Sequence, residues 1–367
     1  MIGRPSVPLV VLMLWLSVWT CRPLWVKAFV TRSSGCKTKL SSYKHLLRRS
    51  FSLDATSSSA SASAAPTVRD ALQASVRQLQ DANIDEPEES VHHILAKVLN
   101  LSWETGFREL RSMQGDSSDL ARQRLSPAQC THLATLLQRR QQHEPIQYIM
   151  GQWDFLEHVY EIVPPLLCPR PETEELVLYA RQSNPEARRI LDVGCGTGCI
   201  GISLAHAMPD AHVTALDVEY VAVETSRRNA RRILGDAATR YRALLCPAAD
   251  YQLDAEEERC DLVVSNPPYI PAKDMDTLDL VVSKWESPQA LCGGDDGMDV
   301  IRTIVQKLPE WTLRGGDCWM EVDPTHPALL KEWLDKEVPS LGVSFVESIR
   351  DLQGLDRFVH LRTTRPR

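Results

Sequence analysis

The segment of this chain best equipped for chemistry is Ser265-Asn266-Pro267-Pro268-Tyr269, directly after the β-type run Asp261–Val264. Its two prolines remove two backbone donors and stiffen the loop. Asn266 then offers a side-chain carbonyl, and Pro267 a backbone carbonyl. Two converging acceptors suit a planar NH2 group, and Tyr269 supplies a flat face for stacking. Amide and exocyclic-amine nitrogens are poor nucleophiles because their lone pair is delocalised. Holding both N–H protons aims such a nitrogen at an electrophilic methyl group and favours localisation of the lone pair. Geometry is then the main catalytic contribution. No strong base is needed early, since the nitrogen becomes acidic only as it is methylated. The plain alternative is a rigid proline turn.

Asp192-Val-Gly194-Cys195-Gly196-Thr197-Gly198 lies between a strand-like and a helix-like run. Glycines there permit positive φ and a close approach of ligand to backbone. The spacing is GxGxG, whereas a dinucleotide fingerprint reads GxGxxG and here the sixth position is Cys199. Pyrophosphate calls for bare amides at a helix start. S-adenosyl-L-methionine presents instead an amino-acid end, a sulfonium and a ribose. Asp217 ends the next strand-like run, where a carboxylate can accept both ribose hydroxyls; its structural alternative is a helix cap. Glycine loop and acid together indicate a nucleoside site, without separating a methyltransferase from a dehydrogenase.

These residues need a parallel sheet to bring them together. After Arg188 the chain alternates: strands at Arg189–Val193, His212–Asp217, Cys260–Ser265 and Asp317–Val322, and helices at Cys199–Ala207, Glu219–Leu234 and Asp299–Leu308. Such alternation predicts a doubly wound α/β sheet with ligands at the carboxyl ends of its strands. Upstream the period is helical. Val68, Leu72, Val76 and Leu79 share one face, as do Val91, Ile94, Leu95, Val98 and Leu99. Ser126-Pro127 predicts a helix start, and one more short helix is expected around Phe107 and Leu110. From Gln147 to Val163 aromatic and β-branched residues predict a β-hairpin connector.

The chain has 367 residues and a net charge of -7. Residues 1–65 hold nine Lys/Arg and a single acid, Asp54, so the remainder is strongly acidic. Val7–Trp19 is apolar but short for a membrane span. The acid-free, hydroxyl-rich tract Phe29–Ser52 carries Arg32, Lys37, Lys39, Lys44, Arg48 and Arg49. Together they read as a bipartite organellar presequence, plastid ahead of mitochondrion. Ser57–Ala65 reads as linker. The expected organisation is a presequence and linker over 1–65, a helical recognition domain over 66–143, and connector plus catalytic domain over 144–367. Ten scattered cysteines without ligand spacing point to free thiols and no metal.

With these residues in hand, the chain from about Pro66 to Val359 resembles the release-factor glutamine N5-methyltransferase family (HemK/PrmC type). Glu144–Gly151 and Cys168-Pro-Arg170-Pro-Glu172-Thr-Glu174 match that family's connector. Asp192–Gly198, Asp217 and Asn266–Tyr269 match its core, and Glu286–Gly294, Gly297 and Asp351–Arg357 its C-terminal half. The resemblance implies a seven-stranded class I methyltransferase domain, with S-adenosyl-L-methionine as cofactor. The implied substrate is the GGQ glutamine of organellar peptide chain release factors. Cofactor contacts would come from Asp192, Gly194, Cys195, Gly196, Thr197, Gly198, Asp217, Tyr251 beside the adenine, and Asn266. Asn266, Pro267, Pro268, Tyr269, Arg170 and Glu172 would line the substrate site, with Asn266, Pro267 and Tyr269 catalytic. Two stretches depart from the family pattern, Glu286-Ser-Pro288 and Glu321-Val-Asp-Pro-Thr-His326. Both are expected away from the methyl-transfer centre. Rival readings are a ribosomal-protein glutamine methyltransferase, an adenine-N6 nucleic-acid methyltransferase, and a non-catalytic binding module. The acidic body disfavours nucleic acid as partner; its one basic cluster is Arg227, Arg228, Arg231 and Arg232. No membrane is expected in the mature form, and a monomer is expected.

Overall fold

The computed structural model describes residues 65–103, 105–113, 118–253, 255 and 258–364. The presequence reading falls outside them. Helices α1 (Val68–Asp81), α2 (Pro87–Val98), α3 (Gly106–Arg111), α4 (Asp119–Arg122), α5 (Pro127–Gln141) and α6 (Ile146–Met150) come first. Thr67 and Ser126 start α1 and α5 as reciprocal capping boxes with Asp70 and Gln129; such a cap stabilises by about 1 kcal/mol. The helical stripes read from the sequence close on one core, with Val68, Leu79, Val91, Ile94, Leu95, Leu133, Leu136 and Leu137 all buried.

The region expected to be hairpin from Gln147 is helical at first. Ile146, Ile149 and Met150 pack into the helical core, which their i, i+3, i+4 spacing permits. Gly151, at φ 75°, ends the turn. The hairpin proper is β1 (Gln152–Phe155) against β2 (His158–Glu161). Local β-branched content concealed a helical turn that tertiary burial stabilises. Likewise two short helices, α3 and α4, occupy the stretch where one was expected.

The remainder builds one sheet with helices on both faces. Its elements are α7 (Pro171–Ser183), β3 (Arg189–Val193), α8 (Cys199–Ala207), β4 (His212–Asp217), α9 (Tyr220–Leu234), β5 (Tyr241–Leu245), β6 (Cys260–Ser265), α10 (Leu280–Ser283), α11 (Pro288–Leu291), α12 (Asp299–Trp311), β7 (Thr312–Glu321), α13 (His326–Lys336), β8 (Val343–Arg350) and β9 (Asp356–Thr363). Strand order is β5-β4-β3-β6-β7-β9-β8. The first five run parallel, and β9 is antiparallel to both neighbours. Residues of α7, α8 and α9 fill one core layer, and residues of α12 and α13 the other. Strands β3 and β6 are buried on both faces along most of their length, in keeping with their largely apolar sequences.

The winding reverses at β3: the chain proceeds to β4 and β5, then returns to β6 on the other side. That switch point opens a crevice at the carboxyl ends of β3 and β6. The Ser265 hydroxyl donates to the Val193 carbonyl at 2.6 Å across it. Trp153 of the hairpin packs against both the helical core and the sheet core. No described helix is long and apolar enough to cross a membrane.

Candidate active site

The glycine loop leaves β3 with Gly194, Gly196 and Gly198 all at positive φ. Its amides are largely spent inside the protein. Gly194 and Cys195 donate to the Leu216 carbonyl, Gly198 to Cys195, and Gly196 to Asp217 Oδ2 at 2.9 Å. A pyrophosphate would need those donors; a phosphate-free ligand does not. Space beside the loop remains open, since a Cβ on Gly196 would meet nothing within 4 Å and one on Gly194 only the Asn266 carbonyl at 3.9 Å. The NPPY backbone is therefore next to the loop. Asp217 ends β4 with Oδ2 on Gly196 and Oδ1 accepting from Glu219 N at 2.9 Å. Each oxygen keeps a lone pair, so the carboxylate can accept two vicinal hydroxyls. Burial raises its pKa against those two backbone donors.

Asp192, expected among the cofactor contacts, is 0 % exposed and turns its carboxylate toward the helix that follows the loop. Its Oδ2 accepts from Gly201 N at 3.0 Å, in the first turn of α8. It braces the loop and the helix that follow. Thr197, Cys195 and Cys199 are also buried, so the loop presents backbone and not side chains to the crevice.

Burial raises the Asp192 carboxyl to about 7. The unfolded chain releases that proton near pH 4. Between those values the folded state holds the extra proton, so this group's contribution is full at low pH and lost as pH rises through 7. Asp192→Asn keeps the shape and cannot ionise. Between pH 5 and 8, urea denaturation should show the stability difference shifting toward the variant by about 2–3 kcal/mol. Equal pH slopes for the two proteins would refute the buried ionisation.

Asn266 is half-buried, and its Nδ2 donates to Thr173 Oγ1 at 3.0 Å. Thr173 donates to Glu321 Oε2 at 2.7 Å, and the Tyr269 hydroxyl donates to Glu321 Oε1 at 3.2 Å. Asn266 Oδ1 and the Pro267 carbonyl have no hydrogen-bond partner among the described residues. They are the two acceptors that the loop was expected to offer. Thr173, in the first turn of α7, and Glu321, at the end of β7, lie in stretches noted in the sequence but were given no site role there. Nothing local indicates that residues 93 and 52 positions away meet this loop.

Two glycines clamp the loop from behind. A Cβ on Gly293 would lie 2.6 Å from the Pro268 carbonyl. One on Gly297, at φ 81°, would collide with the Tyr269 carbonyl and approach the His326 ring at 2.9 Å. Gly297→Ala combines positive-φ strain with that collision, about 3 kcal/mol together. Its melting temperature should fall by roughly 6–12 °C; an unchanged melting temperature would refute the clamp.

Arg170 and Glu172 are engaged with C-terminal segments. The Arg170 guanidinium grips both Glu286 oxygens at 2.9 and 2.7 Å, and Glu286 Oε1 also accepts from Cys168 N at 3.3 Å. Although burial alone would lower it, Glu286 raises the Arg170 pKa. Gln353 donates to Glu172 at 3.1 Å. The two departures from the family pattern thus start at residues tied to the site: Glu286 anchors Arg170, and Glu321 holds Tyr269 and Thr173. For Glu321 the expectation of a remote position was wrong, because β7 lies beside β6 and brings its last residue to the NPPY loop; Glu286 meets Arg170 from the loop between α10 and α11.

Tyr251 is not brought into this cluster. Its ring lies 6.0 Å from that of Trp311, and its carbonyl accepts from Trp311 Nε1 at 3.2 Å. Of the arginine cluster, Arg228 pairs with Glu161, Arg227 with Glu224, and Arg232 with the Val159 carbonyl. Three of its four members are therefore committed within the protein. No group of three or more metal-ligating side chains occurs among the described residues, and the eight described cysteines are free thiols.

A sheet in this order, a GxGxG loop with spent amides, a strand-terminal carboxylate and an NPPY loop across the switch point define a class I S-adenosyl-L-methionine-dependent methyltransferase. Residues 173–284 match the family described as Methyltransferase small domain, and residues 70–151 the PrmC N-terminal domain. The chain is 36% identical over 301 residues to a human protein named MTRF1L release factor glutamine methyltransferase, covering 77% of this chain and 83% of that one. It is 37% identical over 199 residues to the release factor glutamine methyltransferase of Geobacter sulfurreducens, covering 54% of this chain and 67% of that protein. That of Koribacter versatilis is 29% identical over 304 residues, covering 80% of this chain and 97% of the relative. The chain belongs to the release factor glutamine methyltransferase family.

Proposed function

We propose that this enzyme transfers a methyl group from S-adenosyl-L-methionine to the N5 amide nitrogen of the glutamine in the GGQ motif of organellar peptide chain release factors. One observation carries the reading: Asn266 Oδ1 and the Pro267 carbonyl are unpartnered among the described residues, on a loop whose Asn266 backbone carbonyl borders the open space at Gly194. Family membership supports a release factor as the protein that presents the amide.

Asp217 would hold the ribose, and Gly194, Gly196 and Gly198 would let the cofactor approach the backbone. Cys195 and Thr197 shape that loop, and Asp192 braces it from below. Tyr251, half-buried with its ring tilted against Trp311, would lie beside the adenine. When bound, the cofactor supplies a methyl group made electrophilic by its sulfonium. Asn266 Oδ1 and the Pro267 carbonyl each accept one N–H of the glutamine amide. This orients the nitrogen lone pair and favours its localisation. Pro268 keeps the loop rigid, and Tyr269 offers its ring as a wall. Arg170 and Glu172 border the substrate side.

Residues 66–143 would recognise the release factor, and 144–367 would perform transfer. A monomer would suffice for transfer, since loop, carboxylate and NPPY all belong to this chain. Residues 1–65 would direct the protein to an organelle, plastid ahead of mitochondrion, on their charge and hydroxyl content. Protein beginning at Pro66 should transfer labelled methyl to the GGQ glutamine, located by mass spectrometry. Label entering adenine of nucleic acid instead would overturn the proposal. Imaging of residues 1–65 fused to a fluorescent protein should show a plastid; mitochondrial signal would reverse that order.

A further inference from the structure

We propose that Thr173 and Glu321 are positioning residues that hold the Asn266 amide with its carbonyl facing the substrate. The inference rests on Asn266 acting as acceptor for a substrate amide. An asparagine side chain is nearly symmetric in shape, and a half-turn about its last bond exchanges Oδ1 with Nδ2. In the wrong orientation Asn266 would present an NH2 group to the substrate's own NH2 group. Two donors would then face each other with no acceptor between them. Catalysis needs a device that selects one orientation.

Hydrogen-bond polarity provides it. An ionised carboxylate only accepts. Glu321 accepts the Thr173 proton at Oε2, at 2.7 Å, and the Tyr269 proton at Oε1, at 3.2 Å. Thr173 has one hydroxyl proton, and it is spent. Its oxygen can therefore only accept from Asn266, at 3.0 Å, so the group facing Thr173 must be Nδ2. The carbonyl is turned away as a consequence. Thr173 and Glu321 are both about 2 % exposed, so water does not compete for these bonds. Burial raises the Glu321 pKa on balance, and the Thr173 hydroxyl, Arg357 and the Tyr269 hydroxyl pull it back toward the ionised form. Arg357 is itself held by Asp351 at 3.1 Å. The same carboxylate sets the Tyr269 hydroxyl, so one acid orients both working side chains of the loop. Three elements must meet for this: the first turn of α7, the end of β7 and the loop after β6.

The test compares Thr173→Val, which keeps the shape and loses the hydroxyl, with Thr173→Ser, which keeps the hydroxyl. Each is assayed on the release factor, with S-adenosyl-L-methionine affinity measured by calorimetry. Thr173→Val should lose about tenfold to a hundredfold in kcat, since a misdirected reacting group costs that much. Its cofactor Kd should stay within about twofold. Thr173→Ser should retain kcat within about threefold, because one hydroxyl suffices for the relay. Glu321→Gln can donate as well as accept, so it scrambles the polarity and should also lose kcat. The double variant with Thr173→Val should be no worse than the poorer single, because both act through one chain of bonds. Wild-type turnover by Thr173→Val, equal losses in the Val and Ser variants, or additive losses in the double variant would overturn the relay alone. A wild-type enzyme inert on the release factor would overturn the relay and the functional reading together.

Discussion

Asn266→Ala is expected to lower methyl transfer to the release-factor glutamine by on the order of 10²–10³-fold, the usual cost of removing one preorganised polar group at a reacting centre. The variant loses Oδ1, one of two acceptors open to the substrate amide. With one N–H free, the nitrogen can rotate and its lone pair remains delocalised. Cofactor affinity should fall far less, because Asp217 and the open loop at Gly196 are untouched. Single-turnover rates with saturating S-adenosyl-L-methionine separate the two effects. Near-normal turnover would eliminate the acceptor role even if the substrate is correctly identified. Asn266→Gln serves as the control for position: it keeps the amide but moves it by one methylene, and a displacement of about 1 Å can by itself cost 10²-fold.

Asp217→Ala should have the complementary signature. The carboxylate accepts from Gly196 and Glu219 and has capacity left for two hydroxyls. Hydrogen bonds to a charged group contribute about 1.5–3 kcal/mol each. Losing both ligand bonds, with the Gly196 amide left unpartnered, should weaken S-adenosyl-L-methionine binding by about a hundredfold or more. Calorimetric titration measures this directly. At saturating cofactor the chemical step should recover most of its rate, since the NPPY loop is intact. A Kd within threefold of wild type would leave Asp217 only its bonds to the Gly196 and Glu219 amides.

Much of the catalytic half was legible because the local signals are strong. The strands Arg189–Val193, His212–Asp217 and Cys260–Ser265 are short apolar runs of a buried parallel sheet, and the structure begins and ends them at those residues. The Ser126-Pro127 helix start was equally direct. Short elements were less legible. The turn Ile146–Met150 is too brief to declare a helical period, and its helicity comes from three side chains buried in a distant core.

The candidate site divided in the same way. Gly194, Gly196, Asp217 and Asn266 could be chosen by chemistry and spacing, because each sits at a strand end where local motif and topology coincide. Asp192 could not be placed: whether a carboxylate faces a ligand or a helix start depends on a burial that its neighbours in sequence do not reveal. The sequence alone determined the reaction class, since glycine spacing, a strand-terminal acid and an NPPY loop are local requirements of that chemistry. Only the tertiary structure decided how Asn266 is oriented. That choice depends on Thr173 and Glu321, which reach the loop through helix packing and the position of β7 beside β6. Hydrogen-bond polarity is a property of a closed network, and a network that spans three elements exists only once the chain has folded.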